Sequence, residues 1–395
     1  MASTVQPNAE VLTRSTAAPR YRARASGMRA VSWQAMEAPT ARASWDALAL
    51  TASEPNPFFE SWYLLPSLRA LDPAGGVQLL RFQHDGSLAG ILPIVRSPRY
   101  YRWPIPHLSS WVHANCFLGA PLIAVGCERE FWRALLGWAD SHARTGLFLH
   151  LGHMPLTGAL HDALAEVLAE DGRTAALVHK EDRALLSTDL SPDAYFEQAL
   201  SGKKRKELRR QFNRLSELGD VAFTRQLDGE GLPGWCDAFL ALEMSGWKGA
   251  AGSALGSHHA TADLFRVSLE GAATRGKLER LTLSLDGEPL AMLATFLTAP
   301  GAYSYKTAFD ERFARFSPGV LLQRENLAVL DREEIGWTDS CASADHPMID
   351  HLWRERRPIG RYSIAIGGRM RRTLFDAIAR AETRRAAHAT PQGPG

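Results

Sequence analysis

A mixed α/β (α+β) chain built of two similar sheet-plus-helix domains is predicted by three observations. Leu79–Val95 (LLRFQHDGSLAGILPIV) and residues 281–296 (LTLSLDGEPLAMLATF) share one plan: strand, Asp-Gly turn, then an apolar strand rich in small residues. Asp-Gly between apolar runs is a strong hairpin signal. Segments with apolar residues at spacings of three and four flank both hairpins, which is the period of an amphipathic helix. The 395 residues also suffice for two domains with cores of their own. Chance likeness of two hairpins is the plainer explanation, but duplication fits the length better. The boundary is expected at 175–190, where Leu177-Val178 gives way to the turn-like Ser191-Pro192-Asp193. The expected division is therefore a tail at 1–30, domains at 31–180 and 181–385, and a tail at 386–395.

In the first half, Phe131–Arg144 and Gly158–Asp171 read as helices. In the second, helical segments at Asp193–Leu200, Lys203–Leu218 and Pro233–Met244 precede strands at Leu278–Asp286, Pro289–Leu297 and Tyr303–Phe309. A helix from about Val320 to Arg332 follows. Ser317 suits its N-cap, Pro318 its first position, and Gly319 leaves the approach to its end open. Free backbone N–H groups at such an end attract anions. A short strand then ends at Cys341. Between Tyr100 and Gly126 the chain is dense in Pro and aromatic residues; it reads as a proline-braced surface loop or as the wall of an apolar pocket.

Composition excludes several classes. The apolar (45%) and charged (22%) fractions are those of a globular protein, and a net charge of +2 is too small to indicate DNA as a partner. The four cysteines are scattered without metal-ligand spacing, which suggests a reducing compartment and no metal. No apolar run approaches the ~18 residues of a membrane span. The first thirty residues hold five arginines against one acid and no hydrophobic segment, so no secretory signal is read there. That stretch, and the end beyond Arg385, read as disordered tails. A cytoplasmic location is expected.

Four places carry candidate chemistry. Residues 203–214 hold seven basic residues and one acid, with Leu208, Phe212 and Leu215 on one helical stripe. A solvated helix face is the plain reading; a phosphate-bearing ligand, RNA or a peripheral contact of Lys203–Arg214 with an anionic membrane would explain the single sign better. In Glu243–Gly249, the plain reading packs Trp247 across the domain and sets Lys248 at the helix C-terminus; the functional one makes Glu243 a proton acceptor with Trp247 shaping the pocket. On the third strand, Lys306 beside Tyr305 and Asp310 is either a solvated edge residue or a cation aimed at a phosphate or oxyanion. The densest polar cluster, residues 339–347, holds Asp339, Ser340, Cys341, Asp345 and His346. A Cys341–His346 nucleophilic pair is conceivable there, but no cysteine-protease pattern supports it. Direct attack of an amine on a thioester needs no enzyme nucleophile.

With these residues in view, the chain resembles the BioF2-like and CelD-like branch of the GNAT acyltransferases, and through its tandem plan the FemAB aminoacyltransferases. The motifs that carry the resemblance are Ser201–Arg210, Ala241–Gly249, the hairpin 281–296, Tyr305–Leu322 and Asp339–Arg357. It implies tandem GNAT-like domains, each a mixed, largely antiparallel sheet flanked by helices and splayed where the acyl arm lies. It also implies acyl-CoA as co-substrate, an amine acceptor (a long-chain amine or envelope precursor among the options), and phosphate contacts from Arg315, Ser317, Gly319 and Val320. Glu243, Asp345, His346 and Lys306 would be catalytic; Trp247, Lys248, Tyr305, Asp310 and Cys341 would line the substrate site. The chain departs from the usual phosphate loop, a Gln or Arg followed by Gly-x-Gly or Gly-x-Ala: Arg315–Val320 has only one glycine. The rival expectations are aminoacyl transfer from charged tRNA and a non-catalytic scaffold in envelope polymer synthesis.

Overall fold

The computed structural model describes residues 27–344, 346 and 348–389. Within these, one mixed sheet holds thirteen strands: β1 (Gly27–Ser32), β2 (Gln78–His84), β3 (Ser87–Ser97), β4 (His107–Ser110), β5 (Leu122–Ile123), β6 (Phe148–Pro155), β7 (Ala175–Leu186), β8 (Val221–Gln226), β9 (Leu278–Leu285), β10 (Glu288–Thr298), β11 (Gly301–Phe309), β12 (Trp337–Asp339) and β13 (Glu355–Ala365). Both Asp-Gly turns are present. Asp85 and Gly86, like Asp286 and Gly287, take positive φ, the conformation that closes a two-residue hairpin with the twist of its strands.

The spatial order is β1-β2-β3-β4-β6-β13-β7-β12-β11-β10-β9-β8, with β5 beside β3. Each half contributes a four-strand antiparallel meander followed by one parallel pair, β4 with β6 and β11 with β12. The last strand of each half then pairs with the other half. β13 lies between β6 and β7, and β7 runs on to β12. The order thus reads alike from both ends, with two strands exchanged at the centre. β7 spans the boundary expected at 180, so the sheet has no break there.

Residues 27–30, expected in a structureless tail, form part of β1, because pairing with β2 satisfies their backbone groups. At the other end the helix Arg369–Ala389 runs past 385. The remaining tail positions lie outside the described residues. The sequence-predicted helices appear as Glu128–His142, Ala159–Glu170, Pro192–Ala199, Gly202–Ser216 and Leu232–Ser245. The expected helix after residue 317 is shorter: Pro318–Asn326 is α-helical and Leu327–Asp331 tightens into a 3-10 turn. Two unpredicted helices, Ser61–Leu71 and His259–Ala273, pack on each other across the halves. They help make one core that includes Trp62, Tyr63, Phe265, Phe296 and Tyr305. Among the described residues no helix is long and apolar enough to cross a membrane, and all four cysteines are free thiols.

Candidate active site

The parallel pair β11 and β12 stays together for only three residues, Gly301–Tyr303 against Trp337–Asp339. Beyond it the strands part. A cavity of about 550 Å³ opens between residues 304–309 on one side and 340–343 on the other, closed further by Leu242–Lys248, Phe117, His346, Met348 and Ile349. The edge of β11 that faces it has no strand alongside among the described residues, while its other edge pairs with β10. An unaccompanied strand edge presents peptide N–H and C=O groups to whatever occupies the gap.

The matching gap in the first half is filled. After β4 and β6 separate, Gly152 N–H donates to Ser110 Oγ (2.9 Å) and Gly119 N–H to the His153 carbonyl (2.8 Å). A Cβ at Gly119 would sit 2.0 Å from the Gly152 oxygen, so only glycine allows this closure. The loop that fills the gap then reaches across to the second half. Its Asn115 Oδ1 accepts from Lys306 Nζ (2.8 Å), and the Phe117 and Tyr305 rings lie 5.0 and 5.6 Å from the same ammonium, a cation held against two π faces. Tyr63 OH donates to the Asn115 carbonyl (2.5 Å) and lies 3.2 Å from Tyr305 OH. The cavity is therefore walled by both halves. Of the two sequence readings of Tyr100–Gly126, the pocket wall holds for Phe117, while Tyr100 packs in a separate cluster with Phe148 and Phe375.

Lys306 is half-buried and has no carboxylate partner among the described residues. Burial, and behind it the Lys248 ammonium, lowers its pKa to about 8. Glu243 is buried, and each of its oxygens accepts one bond: Oε1 from Lys248 Nζ (2.9 Å) and Oε2 from the Leu255 amide (2.7 Å). His346 lines the cavity with its Nδ1 buried and unpartnered among the described residues. Burial, and then Lys248, pulls its pKa down, so it is a neutral imidazole at neutral pH. Asp345 lies outside the described residues.

Cys341 reaches the cavity at positive φ, its amide donating to Asp339 Oδ1 (2.8 Å). Burial, and then the Asp339 carboxylate, drives its thiol pKa far up. A thiol so held is no nucleophile, which removes the Cys341–His346 pair. Asp339 itself is fully buried between two guanidiniums, Arg183 (3.5 Å) and Arg357 (3.2 Å). Arg183 also donates to the Phe117 carbonyl (2.7 Å), and Arg357 pairs with Glu54 and lies over the Trp337 ring. This cluster fixes where β12 ends and where Phe117 enters.

Glu243, Lys248, Trp247, Lys306, Cys341 and His346, far apart in sequence, thus line one cavity. Tyr305 lies buried beneath it. Asp310 does not face it: its carboxylate caps the 3-10 turn Glu311–Phe316 through the Arg312 amide (2.9 Å) and binds the Arg312 side chain. The phosphate candidates also stand apart. Ser317 is left-handed (φ 54°) and makes no side-chain cap, because its N–H is drawn back to the Ala314 carbonyl. Gly319 is covered, its Cβ position 2.3 Å from Met348 Sδ. Ser317 and Val320 line a separate hollow of about 100 Å³ beside Lys204 of the basic helix, and Met348 forms part of both walls. Arg315 lies over Phe316 instead. The sequence reading missed Asn115 and Ser304. Ser304 and Lys306 carried a signal, polar residues two apart in an otherwise apolar strand. Asn115 carried none, since its role arises only when the halves meet.

Comparison with known proteins agrees with this geometry. Residues 202–346 match the acetyltransferase (GNAT) domain family. That match covers β8–β12 and every side of the cavity except the Phe117 loop and the turn beyond His346. Over the whole chain the structure is similar to FemX, at a TM-score of 0.55 and 11% identity, covering 86% of this chain and 98% of FemX. It is similar to a conserved protein of unknown function from Bacteroides thetaiotaomicron at 0.54 and 12%, covering 83% and 97%. A tandem GNAT protein from the clavulanic acid biosynthesis pathway aligns at 0.45 and 16%, covering 87% and 100%. At these identities the likeness is one of fold: a large mixed sheet flanked by helices. No curated protein matches the chain.

Proposed function

We propose that the chain is an N-acyltransferase in which the acyl donor lies in the gap between β11 and β12 and an amine attacks it there. The observation that carries this reading is the parting of a parallel strand pair over a cavity that brings together Lys306, the Glu243–Lys248 pair and His346. The GNAT-domain match over the same residues supports it. The amine nitrogen bonds to the carbonyl carbon, the carbon–sulfur bond of the thioester breaks, and the sulfur leaves as a thiolate. His346, a neutral imidazole lining the cavity, takes the proton the amine loses and passes it to the departing sulfur, which is released as a thiol. The open edge of β11 offers N–H donors for the carbonyl oxygen as it gains charge.

Acyl-CoA is the proposed donor, its phosphates lying toward Ser317–Val320 and the basic helix once Met348 swings aside. Incubation with acyl-CoAs of rising chain length and a panel of amines tests this by release of free thiol. The expected outcome is thiol release, together with a rise in Tm on adding the preferred acyl-CoA, because a ligand that binds only the folded state stabilises it. No thiol release with any amine and no change in Tm overturns it. A second reading, aminoacyl transfer from tRNA, draws on the FemAB resemblance and on Met348 covering Gly319; strongly salt-dependent tRNA binding would favour it.

A further inference from the structure

One corner of the first half gathers large apolar side chains that stand in solvent. The turn Tyr100–Trp103 is closed by two backbone bonds, from Tyr100 N–H to the Trp103 carbonyl (2.9 Å) and from Trp103 N–H to the Tyr100 carbonyl (3.0 Å). That leaves Tyr101 and Arg102 at its tip. Tyr101 is 59% exposed and left-handed (φ 51°), a conformation that favours Asn or Gly over a bulky side chain. The start of the helix Arg369–Ala389 belongs to the same corner. Tyr100 packs on Phe148 and Phe148 on Phe375, with rings 4.9 and 5.7 Å apart. Arg371 donates to the Arg144 carbonyl (2.8 Å), and Leu147 N–H donates to the Pro106 carbonyl (2.9 Å). From this helix Met370, 90% exposed, and Leu374, 49% exposed, reach solvent one turn apart.

The corner is also cationic. Arg99, Arg102, Arg144 and Arg369 are exposed, and none pairs with a carboxylate among the described residues. Of the acids on these segments, Asp140 is tied to Arg173 and Arg372, and Asp376 has one carboxylate oxygen buried. The basic helix Gly202–Ser216 differs: its exposed face holds no large apolar side chain, and Leu218 lies beyond its end. Charge alone suits a phosphate or a nucleic acid. Charge ringed around aromatic and aliphatic anchors suits a bilayer surface, where rings sit at headgroup level and arginines meet lipid phosphates.

We propose that the Tyr101 turn and the first two turns of the helix Arg369–Ala389 dock the protein on an anionic lipid bilayer. Tyr101, Met370 and Leu374 enter the headgroup region, and the arginines around them hold the lipid phosphates. The docking does not rest on the acyltransferase reading. β7 runs from this corner, where Ala175 pairs with Ile364, down to Leu185 beside Asp339. β11 runs the other way past Asp339, so the cavity opens toward the end of the sheet that docks.

Co-flotation of the full chain with vesicles tests this, using phosphatidylcholine alone and phosphatidylcholine with about a third phosphatidylglycerol. Binding to the anionic vesicles only is expected, weakening as salt is raised. The triple variant Tyr101→Asn, Met370→Gln, Leu374→Gln removes the apolar anchors without changing charge and is expected to lower vesicle affinity about ten-fold or more. Arg102→Gln with Arg369→Gln is expected to lower it by a similar factor. All five side chains are exposed and Asn suits the left-handed turn, so an unchanged Tm is expected and separates lost docking from lost fold. No vesicle binding, or equal binding to both vesicles, overturns the proposal. So does a loss that follows Lys203→Gln with Lys206→Gln and spares both corner variants, which gives the membrane contact to the basic helix. A dimer in sedimentation velocity that the triple variant dissolves, without vesicle binding, overturns it too, by giving the face to a second copy. The readout is binding alone, so a protein that floats with anionic vesicles but releases no thiol keeps the docking surface and loses the transferase reading.

Discussion

Replacing Arg357 by Met tests whether the cluster behind the cavity is held by charge balance. In the native protein two guanidiniums, Arg183 and Arg357, face three carboxylates, Glu54, Asp339 and Glu181. After the substitution Arg183 still faces Asp339 and Glu181, and Glu54 keeps no ion-pair partner among the described residues. Glu181 is a quarter exposed and can be solvated, but Asp339 is fully buried and the Glu54 side chain is only 14% exposed. Removing one partner of a buried pair costs about 3–5 kcal/mol. Loss of the Arg357 contact with the Trp337 ring adds a further ~0.5–2 kcal/mol. The assay is urea unfolding of both proteins, followed by tryptophan fluorescence, at pH 7 and pH 5. Burial already raises the Glu54 pKa in the native fold, and loss of Arg357 raises it further. A carboxyl whose folded pKa lies above its unfolded value is stabilising at low pH and loses that stabilisation as pH rises through the folded pKa. The gap between the proteins therefore narrows on going from pH 7 to pH 5. A loss below about 1 kcal/mol at pH 7, or a gap that widens in acid, refutes the argument.

Three further outcomes are expected. Cys341→Ser should leave thiol release within about three-fold of wild type, since a buried protonated thiol takes no part in transfer; a loss of a hundred-fold or more would restore the nucleophile. Glu243→Leu should cost about 1–3 kcal/mol by leaving the Leu255 amide and the Lys248 ammonium unpaired, measured as a fall in Tm, whereas an unchanged Tm would show those bonds to be dispensable. Gly319→Ala forces Met348 aside and should lose about 1–3 kcal/mol. Adding Met348→Ala should return most of that loss in a double-mutant cycle, and additive losses would show that the two residues do not touch.

The hairpins and the helices of the second half were legible because their signals are local. Asp-Gly turns and a three-to-four residue apolar period need no tertiary contact to be recognised. The lining of the cavity was legible in part for a related reason. Glu243 and Lys306 are charged groups set among apolar neighbours, and His346 stands in the densest polar cluster of the chain; such positions draw notice wherever the chain later goes. Other features depended on long-range pairing. Arg354–Arg357 reads as a basic run with nothing in it to single out Arg357, yet Arg357 is buried because Glu54 and Asp339 arrive from elsewhere. Asn115 gains its role from Lys306, 191 positions away. The anion-ready helix end failed in detail because a neighbouring turn, drawing back Ser317, and a distant methionine decide whether that end is open. Neither is encoded in Ser-Pro-Gly itself.

The exchange of β7 and β13 has a consequence for how the chain is made. Until residues 355–365 leave the ribosome, β6 and β7 have nothing between them, so the first half carries an unfilled slot through most of synthesis. Cutting the polypeptide at 187–191 would accordingly yield two pieces that each lack a strand, and co-expressed fragments should recover the native state only as a complex.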